Sequence, residues 1–504
     1  MMRSYAFLLA LVGALVVSDR SLAATGSRII SEPAARRHGL TRPWFTQIQM
    51  DRARARITYV VLDAGTLFVQ TDQSRLYALD AETGQTLWAA QVGRRDHPSF
   101  APAANEYSVA VINGTYLYIL RREDGKLLWS TQLDQAPGAA AVMSPRRAYV
   151  AMINGQVFSY LLETMKDPLA ELGLVRKKEG ALPKGEEILP GGEETSSQEE
   201  VGEKEDVAEA QRKELVEISQ EYVPALVCQS YGRALVQPLV THCDEDEEYV
   251  AWATDRGYVF VGNVVEREEQ FAIRYKLETE AGIAARPTYS PPNPNIVPDS
   301  GVVYAASRDG FVHAVLEQDG SSLWRFSTGE PILHRPVVIG ESVYVITQPG
   351  GMYCLDAKTG MEKWWTHDMA QFVAASKDRL YVADKLGRIL VLSAASGARL
   401  DTIPAQGLDI KLLNTQNDRL YVATATGLVQ CLHEIELTEP LVHAKPPQLP
   451  VETAPGEKQP ADQPAPDQPA TPAVNPFSGQ AAPKAPAGGD QGNPFGAPAD
   501  DPFK

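Results

Sequence analysis

The chain has few of the residues on which covalent and metal chemistry depend. Its 504 residues include four cysteines and eight histidines, and no two cysteines are adjacent. It has no Gly-x-Ser-x-Gly element and no phosphate-binding loop, and no two histidines have the His-x-x-x-His spacing of a helical zinc site. These absences argue against a serine hydrolase, a P-loop enzyme or a zinc peptidase.

Positive charge and long apolar runs are also scarce. The formal net charge is −17 and no basic stripe occurs, which argues against a nucleic-acid partner. The apolar run at residues 5–17 is too short to span a bilayer. Because it follows Arg3 and precedes Ser21-Leu22-Ala23, we expect a signal peptide (residues 1–23) cleaved after Ala23. The mature chain is then expected in the periplasm, in the cell envelope or outside the cell, with no transmembrane segment.

What the chain does contain is a repeat of about 40 residues. Each copy has a short apolar strand, a turn with Asp and Gly, and in most copies an aromatic residue twelve positions after the strand begins. The strands begin at Leu76, Leu117, Val157, Val259, Val312, Met352, Ile389 and Val429. A second apolar strand precedes each of them across a polar turn. Eight units of four short strands predict an all-β fold, an eight-bladed β-propeller of four-stranded antiparallel blades.

The two ends of the repeat region complement each other. The eighth unit ends near Glu436 without an aromatic residue, whereas Trp44 stands near the amino end in an outer strand that has no blade of its own. We therefore predict that this amino-terminal strand closes the ring, and that the propeller occupies residues 40–436. In the seventh unit Leu400 and Asp401 replace the aromatic residue.

This repeat resembles the pyrroloquinoline-quinone (PQQ)-like propeller family, over about residues 44–436 apart from an insertion. The family includes quinoprotein dehydrogenases and the outer-membrane assembly lipoprotein of the Bam complex. The resemblance implies that aromatic side chains pack between neighbouring blades; here these are Trp44, Trp88, Trp129, Phe271, Trp324 and Trp364. The vicinal cysteines and the calcium ligands of the dehydrogenases have no counterparts, so we expect no catalytic, cofactor-binding or metal-binding residues, and no cofactor.

Two segments do not fit the repeat. Residues 163–225 form an acidic insertion in the third unit, expected to be partly disordered, which is either a solvated excursion or a docking arm for a partner. Residues 445–504 hold fifteen prolines and are expected to be a disordered Pro/Ala-rich tail. Its three Asx-Pro-Phe units, which end at Phe477, Phe495 and Phe503, are either docking motifs or drifted low-complexity sequence.

Two smaller features concern acidic residues and cysteines. The acidic run at residues 244–248 is interpreted as a solvated turn rather than a calcium site. Export permits a disulfide between Cys228 and Cys243, which the sequence leaves open, and Cys354 and Cys431 are expected to be buried thiols.

These observations favour an exported, noncatalytic scaffold that binds proteins in the cell envelope, as a monomer. Two alternatives stay open. One is a quinone- or sugar-dependent oxidoreductase with a degenerate site, and the other is a module that binds carbohydrate or another ligand.

Overall fold

In the computed structural model, residues 29–162, 225–244 and 247–443 are described, and strands dominate them. The described chain starts with α1 (Glu32–Arg37) and β1 (Leu40–Gln47). The segments interpreted above as a signal peptide, an insertion and a tail lie wholly or mostly outside the described residues. Where the chain is described, no helix has both the length and the apolar character that crossing a membrane requires.

Four blades lie within residues 57–278, each with its strands in sequence order from the axis outward. Blade 1 contains β2 (Ile57–Asp63), β3 (Thr66–Thr71), β4 (Arg75–Asp80) and β5 (Thr86–Gln91). Blade 2 contains β6 (Ala103–Ala104), β7 (Ser108–Asn113), β8 (Tyr116–Arg121) and β9 (Leu127–Gln132). Blade 3 contains β10 (Val142–Met143), β11 (Arg147–Ala151), β12 (Gln156–Leu161) and β13 (Leu226–Gln229). Blade 4 contains β14 (Leu239–Cys243), β15 (Glu247–Ala253), β16 (Tyr258–Val265) and β17 (Gln270–Glu278).

Four further blades complete the ring. Blade 5 contains β18 (Thr288–Ser290), β19 (Val302–Ala306), β20 (Phe311–Leu316) and β21 (Ser322–Ser327). Blade 6 contains β22 (Val337–Ile339), β23 (Ser342–Ile346), β24 (Met352–Asp356) and β25 (Glu362–Thr366). Blade 7 contains β26 (Gln371–Ala375), β27 (Arg379–Ala383), β28 (Ile389–Ser393) and β29 (Arg399–Ile403). Blade 8 contains β30 (Ile410–Lys411), β31 (Leu420–Ala423) and β32 (Leu428–Glu434), with β1 as its outer strand. The predicted eight-bladed propeller is confirmed.

The turn after the third strand of a blade explains the recurring Asp and Gly. Asp80 Oδ1 accepts hydrogen bonds from the backbone N–H of Glu82 and Thr83, at 3.1 and 2.7 Å. Gly84 follows with φ +70°, which an L-residue adopts only under strain. Asp356 repeats these contacts with Lys358 and Thr359. The aspartate of the repeat therefore shapes a turn.

The amino-terminal strand closes the ring, as predicted. β1 pairs antiparallel with β32, and Trp44 lies opposite Cys431 while Thr46 lies opposite Val429. Trp44 and Ile48 are buried in a cluster that also contains Leu67 of blade 1. The amino-terminal strand thus completes blade 8, covers the edge of β32 and packs that blade against blade 1, which closes the ring.

Strand direction gives the propeller two different faces. We call the turn face the one that carries the turns between first and second and between third and fourth strands. The linker face carries the connections between blades and the turns between second and third strands. Residues 163–224 join a third strand to a fourth one, and α1 precedes a fourth strand, so both connect at the turn face. The last described residue, His443, also lies at the turn face. Its backbone N–H donates a hydrogen bond to the carbonyl of Gln416, in a turn of blade 8, at 2.8 Å.

Deleting residues 40–50 is expected to destabilise the propeller strongly. The deletion removes Leu40, Trp44 and Ile48, which are buried, and each large apolar side chain lost from a core costs ~2–5 kcal/mol. Thermal unfolding followed by circular dichroism should show a melting temperature lower by many degrees, while deletion of residues 445–504 serves as the control. A 40–50 deletion that melts like the full chain would contradict ring closure by this strand.

Candidate functional site

The aromatic residues of the repeat lie where each blade meets the next one. The indole N–H of each of four tryptophans donates to a backbone carbonyl in the turn of the following blade. The pairs are Trp44 with Ala81 at 3.0 Å, Trp88 with Arg122 at 2.7 Å, Trp324 with Ala357 at 2.9 Å and Trp364 with Ala394 at 2.9 Å. A buried indole N–H without an acceptor would cost free energy, and each of these hydrogen bonds avoids that cost. The same bonds also fix the position of the indole ring against the next blade.

Each of these indoles lies directly on a glycine of the next blade. A Cβ added to Gly84 would lie 2.3 Å from Cε3 of Trp44, and one added to Gly125 would lie 2.4 Å from Cε3 of Trp88. Gly360 and Gly397 meet Trp324 and Trp364 in the same way. Two constraints therefore require glycine at this position of the repeat. The backbone has a positive φ, and the covering aromatic ring leaves no room for a Cβ.

In blade 4 this docking position belongs to Tyr275 rather than to Phe271. The hydroxyl of Tyr275 donates to the carbonyl of Leu316 at 3.1 Å, and a Cβ on Gly320 would lie 2.3 Å from its ring. The β16–β17 hairpin is four residues longer than its counterparts, so counting twelve residues from Val259 selects Phe271. Phe271 is buried between the blades on the other side, with its ring centroid 6.0 Å from that of Tyr149 in blade 3.

The junctions between blades 2 and 3 and between blades 7 and 8 also depart from the pattern. Among the described residues, the indole N–H of Trp129 is buried without a hydrogen-bond partner, and the described chain of blade 3 stops at residue 162, where the turn of the other blades begins. Between blades 7 and 8, Asp401 Oδ2 lies 2.6 Å from His38 Nδ1, so a hydrogen bond between side chains takes the place of an aromatic ring. Burial acts to raise the pKa of Asp401, but its hydrogen bonds to His38 and to the Thr402 N–H outweigh burial and hold the pKa low.

The acidic run at residues 244–248 contains a buried carboxylate, which corrects its interpretation as a solvated turn. Glu248 is fully buried and accepts hydrogen bonds from the hydroxyls of Ser144 (2.9 Å) and Tyr149, both in blade 3. Glu434 of blade 8 likewise accepts hydrogen bonds from the hydroxyls of Ser376 and Tyr381 of blade 7, at 2.6 and 2.8 Å. The shared Ser-x-x-Arg-x-Tyr spacing is the sequence signal that could have located both carboxylates.

The four cysteines are free thiols, so Cys228 and Cys243 form no disulfide. Burial raises the pKa of Cys228 to about 11 and, together with the nearby Glu248, that of Cys243 to about 12. Thiols with such pKa values stay protonated and unreactive at neutral pH. Among the described residues, no group of three or more His, Cys, Asp or Glu side chains is placed to hold a metal ion.

A cavity of about 790 Å³ lies on the axis of the ring, and every blade contributes to its lining. Its charged side chains are mostly cationic. Arg122 is paired with Asp63, and Glu106 is exposed. Arg286 and Arg335 come from the connections that precede β18 and β22, and Lys411 comes from β30. Positively charged side chains of this acidic chain are therefore concentrated around the axis of the ring.

The linker face carries a second candidate site, between blades 3 and 4. Ile153, Tyr231 and Leu235 are 42%, 63% and 43% exposed there, and we call them the apolar patch. The backbone is tightly packed here: a Cβ added to Gly138 would lie 2.0 Å from the carbonyl oxygen of Ala234 and 3.4 Å from the backbone nitrogen of Ile153. At the rim, Tyr231 packs edge-on against Tyr258 with centroids 5.8 Å apart, and Arg256 lies over its ring. The tail residues Phe477, Phe495 and Phe503 lie outside the described residues.

We expect Gly84→Ala to destabilise the propeller more than the matched variant Gly65→Ala. Both glycines have positive φ, +70° and +76°, so the two variants share the backbone strain. Only Gly84 is covered by the Trp44 ring; nothing lies within 4 Å of a Cβ on Gly65. The added steric cost is ~1–3 kcal/mol, measured as the difference in free energy of unfolding in denaturant titrations. Equal losses would contradict a docking role for this contact.

Comparison with known proteins agrees with the architecture. The crystal structure of BamB from Moraxella catarrhalis is similar over 78% of this chain and 97% of that one, with a TM-score of 0.52 and 14% identity. Sqt1 of Saccharomyces cerevisiae is similar over 77% of this chain and 97% of its own, with a TM-score of 0.53 and 9% identity. At these identities the likeness concerns the fold alone.

Two sequence comparisons add to this. A tetrathionate hydrolase from Acidithiobacillus ferrooxidans is 25% identical over an alignment of 173 residues, which covers 28% of this chain and 34% of that relative, about a third of its length. A family model described as outer membrane protein assembly factor BamB matches residues 23–210 and 280–407, more than half of the chain. The chain therefore belongs to the family of the outer membrane protein assembly factor BamB.

Proposed function

We propose that this chain is an exported, noncatalytic scaffold that binds protein partners through the apolar patch on its linker face. The observation that carries the proposal is the exposure of Ile153, Tyr231 and Leu235 on one face, in a turn of blade 3 and in the connection to blade 4. Membership of a family named for outer-membrane assembly supports the envelope as its place of action. A signal peptide cleaved after Ala23 and a monomeric state are parts of the same proposal.

The chemistry of the patch is that of a protein interface. Aromatic and aliphatic side chains with arginines at the rim are enriched at the centres of such interfaces. Arg233 is held by Asp255 at 2.7 Å, and Arg256 is held over the Tyr231 ring, so the rim is ordered before a partner arrives. An ordered surface loses little conformational entropy on binding, which favours affinity.

The position of the patch supports the proposal further. α1, the ends of the insertion and His443 all lie at the turn face, whereas the linker face carries only short turns and connections between blades. Among the described residues, the linker face is built entirely from the ring, which presents a partner with a surface of turns and connections.

Replacing Tyr231 and Leu235 by Ala is expected to weaken partner binding by ~10-fold or more, since buried aromatic anchors dominate interface energetics. Tyr107→Ala is the matched control, because Tyr107 is also 63% exposed but lies in a turn on the opposite face. Quantitative affinity capture from envelope extracts should show partners that the control retains and the double variant loses. Identical recovery with both variants, each checked for an unchanged melting temperature, would refute docking through the patch.

We further propose that the tail adds a second point of attachment through its Asx-Pro-Phe units. Sixty residues of flexible chain have an r.m.s. span of at least ~40 Å, so the tail reaches well beyond its point of attachment. Joint replacement of Phe477, Phe495 and Phe503 by Ala should leave the melting temperature unchanged and reduce the set of captured proteins. An unchanged set would leave the tail as a spacer.

A catalytic alternative is favoured by the small-molecule size of the axial cavity and by the name of one relative, tetrathionate hydrolase. Loss of tetrathionate on incubation with the purified full chain would support a hydrolase. Dye reduction with an alcohol or a sugar after addition of PQQ would support an oxidoreductase. The scaffold requires neither activity.

A further inference from the structure

The axial cavity contains a side-chain arrangement that the proposed scaffold does not use. Gln237, Arg286 and Arg335 occupy equivalent places in three successive blades, each directly before a proline and close to the start of an innermost strand. A residue before proline is held extended, which fixes the direction in which the chain enters the blade. Because the ring closes, the three side chains line one cavity.

The hydrogen bonds around Arg286 leave part of its guanidinium unused. Its Nη1 donates to Gln237 Oε1 at 3.0 Å, and Gln237 Nε2 donates in turn to the carbonyl of Ala141 at 2.6 Å. The Nε of Arg286 is buried and has no acceptor. Within the described part of the chain, neither Arg286 nor Arg335 has a carboxylate within 4.0 Å. The unused edge of Arg286 is thus a donor without a partner inside the cavity.

The two arginines are desolvated like charges. Burial, with a smaller contribution from the charge of Arg335, lowers the pKa of Arg286 to about 9, and burial also lowers the pKa of Arg335. A pKa of about 9 still leaves Arg286 charged at neutral pH. Both residues keep partial exposure, but partly buried charges without a counter-charge are still costly, and their cost falls when an anion enters.

The remaining charged groups of the cavity do not neutralise the pair. Asp63 is engaged by Arg122, and Glu106 is exposed. Lys411 adds a further cation, whose Nζ donates to the carbonyl of Leu408 at 2.6 Å. Ring order places blades 5 and 6, which carry the arginines, across the axis from blades 1 and 2, which supply Asp63 and Glu106.

We propose that the axial cavity binds a compact dianion between Arg286 and Arg335, either an inorganic oxyanion or a short dicarboxylate. A guanidinium offers paired N–H groups that match the oxygens of carboxylate, sulfate and phosphate. The second positive charge selects a doubly charged ligand over a singly charged one. The volume of about 790 Å³ lies in the range of small-ligand sites and admits either class.

The test measures binding to the full chain at pH 7 by calorimetry and by thermal unfolding. Sulfate, phosphate and succinate are compared with acetate and with chloride at equal ionic strength. We expect a dianion to bind and to raise the melting temperature, with acetate weaker. Sulfate or phosphate ahead of succinate identifies an oxyanion site, and the reverse order identifies a dicarboxylate site.

Three variants decide whether the arginines are responsible. Arg335→Gln should weaken dianion binding at least ~10-fold and, without a dianion, should melt higher than the wild type because a like charge is gone. Arg335→Lys, which keeps the charge and loses the paired N–H groups, should bind at an intermediate level and covers the case in which the first variant fails to fold. Arg308→Gln, an exposed arginine on the linker face, should bind like the wild type.

Two results would overturn the proposal. One is dianion binding that is equal in the wild type and in both Arg335 variants. The other is the absence of any dianion effect beyond that of chloride, together with a lower melting temperature of Arg335→Gln, which would make the arginine pair purely structural.

Discussion

The propeller depends on one contact, an aromatic ring of an outer strand laid on a glycine in the turn of the next blade. Its hydrogen bond to a backbone carbonyl fixes where the two blades meet, as Trp88 does on Gly125 with Arg122 as acceptor. Because a ring must close without a gap, the same contact has to recur with nearly the same geometry around the axis. Closure, the two distinct faces and the axial cavity all follow from that repetition.

The junctions at which this contact is altered coincide with other irregularities of the repeat, namely an insertion, the closing strand and a longer hairpin. Trp129 has no acceptor among the described residues, next to the point where the insertion begins, and Asp401 pairs with His38, which precedes the closing strand β1. Tyr275 replaces tryptophan where a hairpin is longer, and it keeps both the glycine contact and the carbonyl acceptor. The ring thus closes although the contact is altered at several junctions.

These departures also explain what the sequence could and could not predict. The spacing of Trp88, Trp324 and Trp364 is sufficient to predict the blades, and the isolated Trp44 is sufficient to predict closure. Fixed spacing fails at Tyr275, because a longer hairpin displaces the docking residue along the chain. Fixed spacing also fails to locate the buried Glu248. The hydroxyls that donate hydrogen bonds to its carboxylate belong to Ser144 and Tyr149, about a hundred residues earlier in the chain.

The proximity of the two arginines could not be predicted from the sequence, for a related reason. Arg286 and Arg335 are 49 residues apart, and each one alone reads as an ordinary polar residue in a connection between blades. A repeat fold brings equivalent positions of successive units to the same radius, so a residue type that recurs in neighbouring connections becomes a cluster at the axis. One substitution in a connection therefore changes the charge of the cavity without disturbing a blade, since the aromatic contacts that hold the ring together lie at the outer strands.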